Sequence, residues 1–182
     1  MMIIDLMIQE HEYVERMLKV IRKICTKLME NKDIDYKDFD KIIYFIKNYA
    51  DEHHHKKEEK ILFKAMIEHL GDTAQMVVQH GMMVEHDYGR LYVRNLEEAL
   101  DKLKNGDNEA KLDVIANAIS YTHLLERHID KENKVVFTFA KNKLNKEVLK
   151  SIDEECIIYE DNNKQNREKC LDILIELENK LF

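Results

Sequence analysis

Two stretches of the chain are versions of one phrase. HHKKEEKILF runs from His54 to Phe63, and HIDKENKVVF runs from His128 to Phe137. Setting His54 on His128 aligns Lys57 with Lys131, Glu58 with Glu132 and Phe63 with Phe137. Each copy contains His-x-x-x-Glu, and residues four apart lie on one face of a helix. Each copy therefore presents an imidazole and a carboxylate in one direction, a donor set suited to iron, manganese or zinc. EHEYVER from Glu10 and EHDYGR from Glu85 form a second pair, aligning His11 with His86 and Tyr13 with Tyr88. The step from His11 to His54 is 43 residues and that from His86 to His128 is 42. Two such halves are expected to form two helical hairpins, packed as an all-α, up-down-up-down four-helix bundle with pseudo-twofold symmetry.

Composition supports helices. The 182 residues include no proline and four glycines, with 36% charged and 45% hydrophobic residues. The net charge of −7 argues against a nucleic-acid partner. No apolar run reaches the ~18 residues of a membrane span, and MMIIDLMIQEHEYVERML lacks the basic start of a signal peptide. Cys25, Cys156 and Cys170 are odd in number and scattered. They read as reduced thiols, and the expected location is cytoplasmic.

In order, residues 1–30 read as a helix with a stripe of Ile4, Ile8, His11, Val14, Leu18, Ile21, Cys25 and Leu28. Asn31–Tyr36 turns the chain, and Asp35 can cap the next helix, 36–70, which ends at Gly71. In that helix Ile43, Ile46, Ala50, His54, Glu58, Ile61 and Ala65 share a face. The series through His55 gathers Asn48, Asp51, Glu52 and Glu59 and reads as solvated. Helix neighbours are about 100° apart, so His54 is chosen as inward and His55 as outward. A segment over 73–104 carries His86 on its stripe, with a break at Gly81 and with Asp72 and Thr73 as caps. Asn108 is expected to cap a helix over 108–142, whose stripe holds Tyr121, His128 and Glu132. Residues 145–182 read as one or two helical pieces around Asp161–Asn163. The domain reading is a bundle over 1–144 with a C-terminal helical extension over 145–182.

The expected metal site is His11, His54, Glu58, His86, His128 and Glu132. Burying two carboxylates and four imidazoles without a cation is costly. A dinuclear centre removes that cost, with the glutamates bridging and two histidines on each ion. The competing reading is a buried ion-pair network of structural value only. His53, His55, His69, His80 and His123 are set aside as flank or surface residues. Glu52-x-x-His55 matches half of a ferritin-like diiron motif and finds no second copy. Glu59 is a partner for a lysine or for a ligand histidine. Tyr13, Tyr88 and Tyr121 sit near the ligand levels.

These residues resemble the hemerythrin-like (HHE cation-binding) domains over about 5–142, through the order H…HxxxE…H…HxxxE and the EHDYGR phrase. The resemblance implies a non-haem diiron centre, two iron ions with an oxo or hydroxo bridge, on the six residues above. Zinc and manganese suit the same donors. The oxygen carriers of the family use a fifth histidine in HxxxH and an HxxxxD pair; here Arg90 and Asn133 hold those positions. The departure favours chemistry on oxygen, peroxide or nitric oxide over reversible carriage. It also resembles the family's iron-sulfur-cluster repair branch, whose cysteine-bearing leading segment is not seen here.

The expected function is therefore a diiron protein that binds or reacts with a small diatomic gas or peroxide in oxidative or nitrosative stress defence. Its status as an enzyme is open. Turnover needs a separate electron donor, because the sequence has no flavin or nucleotide motif and no paired cysteines. The alternatives are an oxygen, redox or iron sensor with residues 145–182 as output, and a storage or structural zinc bundle.

Overall fold

A computed structural model describes residues 3–32 and 34–182. The first two residues of the expected helix 1–30, and Asp33 in the turn after it, lie outside the described residues. The described residues are helical almost throughout. Helix α1 spans Ile3–Met29 and α2 spans Tyr36–Phe45. The α2 rod runs on through two π-helical stretches, Ile46–His55 and Glu58–Phe63, into α3, Lys64–Val77. A π turn at Val78–Met82 leads into α4, Met83–Lys104. Helix α5, Ala110–Lys131, passes through a π turn at Glu132–Val136 into α6, Phe137–Lys143. Helix α7 is Lys146–Leu181.

The breaks have local causes. The Asp35 carboxylate accepts the Lys37 amide at 3.0 Å, and the Asn145 side chain accepts that of Val148 at 2.8 Å. Gly71 bends α3 with φ 65° and ψ −150°, a conformation only glycine adopts at little cost. The expected break at Gly81 is a π turn, so the helix widens there and continues. Asn108 is not a cap: α5 begins at Ala110, and the Asp107 carboxylate accepts the Glu109 amide at 3.1 Å. Of the one or two pieces expected over 145–182 the structure has one, a helix of 36 residues that no glycine or proline interrupts.

Helices α4 and α5 pack together, α1 lies on α5, and α7 lies along α1, α2 and the first π-helical stretch. The apolar interior is two bodies, not one. One gathers Val14–Leu28, Phe39–Ala50, Val93–Leu103 and Ala110–Ile129 with Cys170, Leu174 and Leu177 of α7. The other gathers Ile3–Met7, Ile61–Met66 and Val136–Ala140 with Ile152 and Cys156 of α7. Between them lies a buried polar layer of Glu10, His11, His53, His54, His55, Lys57, Glu58, His86, His128 and Glu132.

Candidate metal centre

All six sequence-expected residues meet in that layer. None is more than 2% exposed. They form two overlapping groups: His11, His54, Glu58 and Glu132, and His55, Glu58, His86 and His128, the potential ligand atoms in each lying within 4.8 Å of one another. Glu58 belongs to both, with Oε1 3.6 Å from His54 Nε2 and Oε2 3.7 Å from His86 Nε2. Glu132 also reaches both sides. Its Oε2 is 3.2 Å from His11 Nε2, and its Oε1 is 3.2 Å from His128 Nε2.

The outward nitrogen of each of four histidines is held by an acceptor. His11 Nδ1 donates to Asn133 Oδ1 at 2.8 Å, and His54 Nδ1 to Glu10 Oε2 at 2.7 Å. His86 Nδ1 donates to Glu59 Oε1 at 2.8 Å, and His128 Nδ1 to Glu85 Oε2 at 3.0 Å. These partners obey the internal repeat. Glu10 and Glu85 precede the aligned histidines of the EH phrases, and Glu59 and Asn133 follow the aligned glutamates. Lys57 and Lys131, also aligned, pair with Glu10 and Glu85. Sequence reasoning passed over Glu10, Glu85 and the lysines, although the repeat itself marked them. Such outer partners fix the tautomer and aim of a ligand imidazole.

The consequence is electrostatic. With Nδ1 donating outward, each ring turns its Nε2 inward. There these nitrogens meet carboxylate oxygens, and His86 Nε2 meets His128 Nε2 at 3.2 Å. Among the described residues, nine buried side-chain nitrogen and oxygen atoms lack a hydrogen-bond partner. Seven belong to this cluster: His11 Nε2, His54 Nε2, His55 Nδ1 and all four carboxylate oxygens of Glu58 and Glu132. Buried carboxylates cost on the order of several kcal/mol when unpaired. Burial and the Glu132 charge push the Glu58 carboxyl well above its ordinary value. Burial, opposed in part by Glu10, lowers His54 to about 4, so its ring is neutral. Burial alone would raise Glu10, but hydrogen bonds from His53 and His54 and the Lys57 charge hold it well below the carboxylate range. Imidazole nitrogens and carboxylate oxygens converging on one buried level form a donor set that suits cations.

His55 is a correction. It was expected on the solvated face and is instead 5% exposed. Its ring stacks on His86 at 3.9 Å and meets the edge of His128 at 5.6 Å. The cause is the π-helical run Ile46–His55. A π turn is wider than an α turn, so the angular step between neighbours is smaller and the face assignment drifts from α periodicity. His54 and His55 thus both reach the layer, one in each group. The aligned position of the other half is Ile129, so the third histidine is present on one side only. Arg90, in the position of the carriers' extra histidine, binds Glu59 at 2.7 Å and Asp51 at 2.8 Å and so steadies the partner of His86.

Glu10, His53 and Glu160 form a third group of donors, but the Lys57 ammonium already lies between the two carboxylates. That group is an ion pair with its cation built in. His69, His80 and His123 are exposed, as expected of surface residues. His53 is buried against Glu10 rather than on a flank. Tyr121 is buried, and Tyr88 is 51% exposed.

The helical fold and the buried histidine–glutamate layer define a metal-binding helical protein. The chain matches the Hemerythrin HHE cation binding domain over residues 2–140, and it belongs to that family. Neither the curated proteins nor the solved structures contain a significant match. Among the described residues, no helix is long and apolar enough to cross a membrane.

Proposed function

We propose that the chain is a non-haem diiron protein that binds or transforms a small oxidant: oxygen, peroxide or nitric oxide. The observation that carries this is the set of four partnerless carboxylate oxygens of Glu58 and Glu132 between two histidine groups. His11 and His54 would hold one ion; His55, His86 and His128 would hold the other; Glu58 and Glu132 would serve both. The layered arrangement supports reading α1, the α2 rod, α4 and α5–α6 as the four up-down members of the bundle. Residues 1–144 would then form the metal-binding unit and 145–182 its cover. Iron, when bound, supplies the electrons and the open coordination that small oxidants require.

The chain's own residues orient and insulate. Glu10, Glu59, Glu85 and Asn133 aim the imidazoles. Phe137, stacked on His11 at 5.5 Å, and the two apolar bodies keep bulk water from the layer. A separate reductant would have to supply electrons for repeated turnover.

Metal analysis and absorption spectra test the reading. The expected result is about two irons per chain, with near-ultraviolet bands that bleach on reduction. His55→Ala, like His54→Ala, should lose metal. One zinc per chain, or no metal after anaerobic purification, would leave a structural bundle. Repeated consumption of oxidant with an added reductant marks an enzyme; one reversible stoichiometric event marks a carrier or sensor.

A further inference from the structure

Arg94 is exposed and, among the described residues, in no ion pair. It lines one end of a cavity of about 300 Å³ between the α2 rod, α4 and α5, and His55 and His86 line the other end. His86 and Arg94 are eight residues apart on α4, so the cavity runs for about 12 Å along that helix. Its middle is apolar: Ile46, Gly89, Val93 and Tyr121. The volume falls at the lower edge of the range for small organic ligands, roughly 300–1,000 Å³.

The other fixed charges of the cavity are already engaged. Lys47 Nζ donates to both Glu97 oxygens, at 2.9 and 3.2 Å. Arg90 donates to Asp51 at 2.9 Å and to Glu59 at 2.7 Å, and it meets Asp87 at 3.1 Å. Carboxylates thus outnumber the one arginine at the His86 end, which disfavours an anion there. The other end has Lys47 and Arg94 against Glu97 alone, a surplus of one positive charge. Glu98, the next acid on α4, does not line the cavity. A cation finds no free carboxylate in the lining, because Asp51 and Glu97 are each bonded to a cation, and it meets Arg94. A neutral guest gains the apolar middle only. A guest with an apolar body and one negative charge gains the middle and the guanidinium together. A carboxylate matches both the charge surplus and the forked donors of arginine. A phosphate dianion would bring one charge too many beside Glu97.

We infer that this cavity binds a small organic monocarboxylate, with its head group on Arg94 and its apolar body along Ile46, Val93 and Gly89 toward His55 and His86. The inference goes beyond the metal chemistry proposed above and holds whichever ion the centre carries. It places an organic acid between solvent and two histidines of the layer.

Titration calorimetry on the protein as purified tests it, with octanoate, octanamide and octylamine as probes. Octanoate should bind at least about tenfold more tightly than octanamide, the worth of one hydrogen bond to a charged group, and octylamine should bind most weakly. Arg94→Gln should erase the preference for octanoate. Arg127→Gln removes the same charge from an exposed position on α5 and should leave the preference unchanged. Crystals soaked in 8-bromooctanoate should show anomalous bromine signal inside the cavity at its His55 end, a readout that needs no variant. Absence of octanoate binding would overturn the inference, as would equal affinities for octanoate and octanamide, or bromine located outside the cavity. So would a preference that survives Arg94→Gln, or one lost equally in Arg127→Gln. Tighter binding of octyl phosphate than of octanoate would overturn the assignment of a single charge.

Discussion

Glu10 and Glu85 show how much of the centre lies outside its presumed ligands. Each accepts from the outward nitrogen of one histidine of the layer and from one lysine, and Glu10 accepts from His53 as well. Glu10→Gln and Glu85→Gln should leave the helices intact and weaken metal binding roughly 10–100-fold each, read by competition with a chelator. Unchanged affinity in both would mean that the imidazoles need no such support. The cysteines belong to a different chemistry. Burial raises Cys25 and Cys156 to about 12 and Cys170 to about 11. A raised thiol pKa favours the fold fully below the unfolded value, and that contribution fades as pH climbs from about 9 toward 12. All three should resist a thiol-specific disulfide reagent at pH 8 until denaturant is added; rapid labelling of the native protein would contradict their burial. At this scale the sequence was legible where a polar residue interrupted an apolar stripe, as at His11, His54 and His128. It was illegible at His55, whose orientation depends on a π-helical turn that side-chain periodicity does not announce.

The internal repeat makes α7 the element that breaks symmetry. Lys57 and Lys131 are aligned residues with aligned glutamate partners. Lys57 lies fully buried under α7, where it also meets Glu160, while the Lys131 side chain stays 48% exposed. Removing one member of a buried charge network leaves uncompensated charge. Lys57→Met should therefore cost about 3–5 kcal/mol in urea unfolding, whereas Lys131→Met should cost less than about 1 kcal/mol. Equal costs would show that α7 does not close one half of the site. The helical character of 145–182 was readable from composition. Which of its residues face the other helices was not, because the Cys170, Leu174, Leu177 series acquires a partner only when α1 and α2 leave a groove between them. Arg16–Glu178 at 2.6 Å and Lys180–Asp38 at 2.7 Å hold its far end.

As a whole the molecule is two apolar bodies joined across a polar layer, and the layer is the weak plane of the metal-free chain. Metal that binds only the folded state adds stability by mass action. The loaded protein should melt well above the chelator-stripped one. Glu58→Gln should remove most of that gain while leaving the stripped protein as stable as the wild type or more so, because an amide costs less to bury than a carboxylate. A stripped Glu58→Gln protein that melts far below stripped wild type would point to a structural ion-pair network. The all-helical class and the level at which histidines and glutamates meet were legible from composition, two repeated phrases and their spacing. The separation of the core into two bodies was not, because it depends on Glu10, Lys57 and Glu132 all reaching one level.

The most direct test of the diiron account is anomalous diffraction at the iron edge from iron-loaded crystals. The account predicts two peaks flanked by Glu58 and Glu132, one against His11 and His54 and the other against His55, His86 and His128. A single peak, or two peaks with His55 turned away from both, would contradict it.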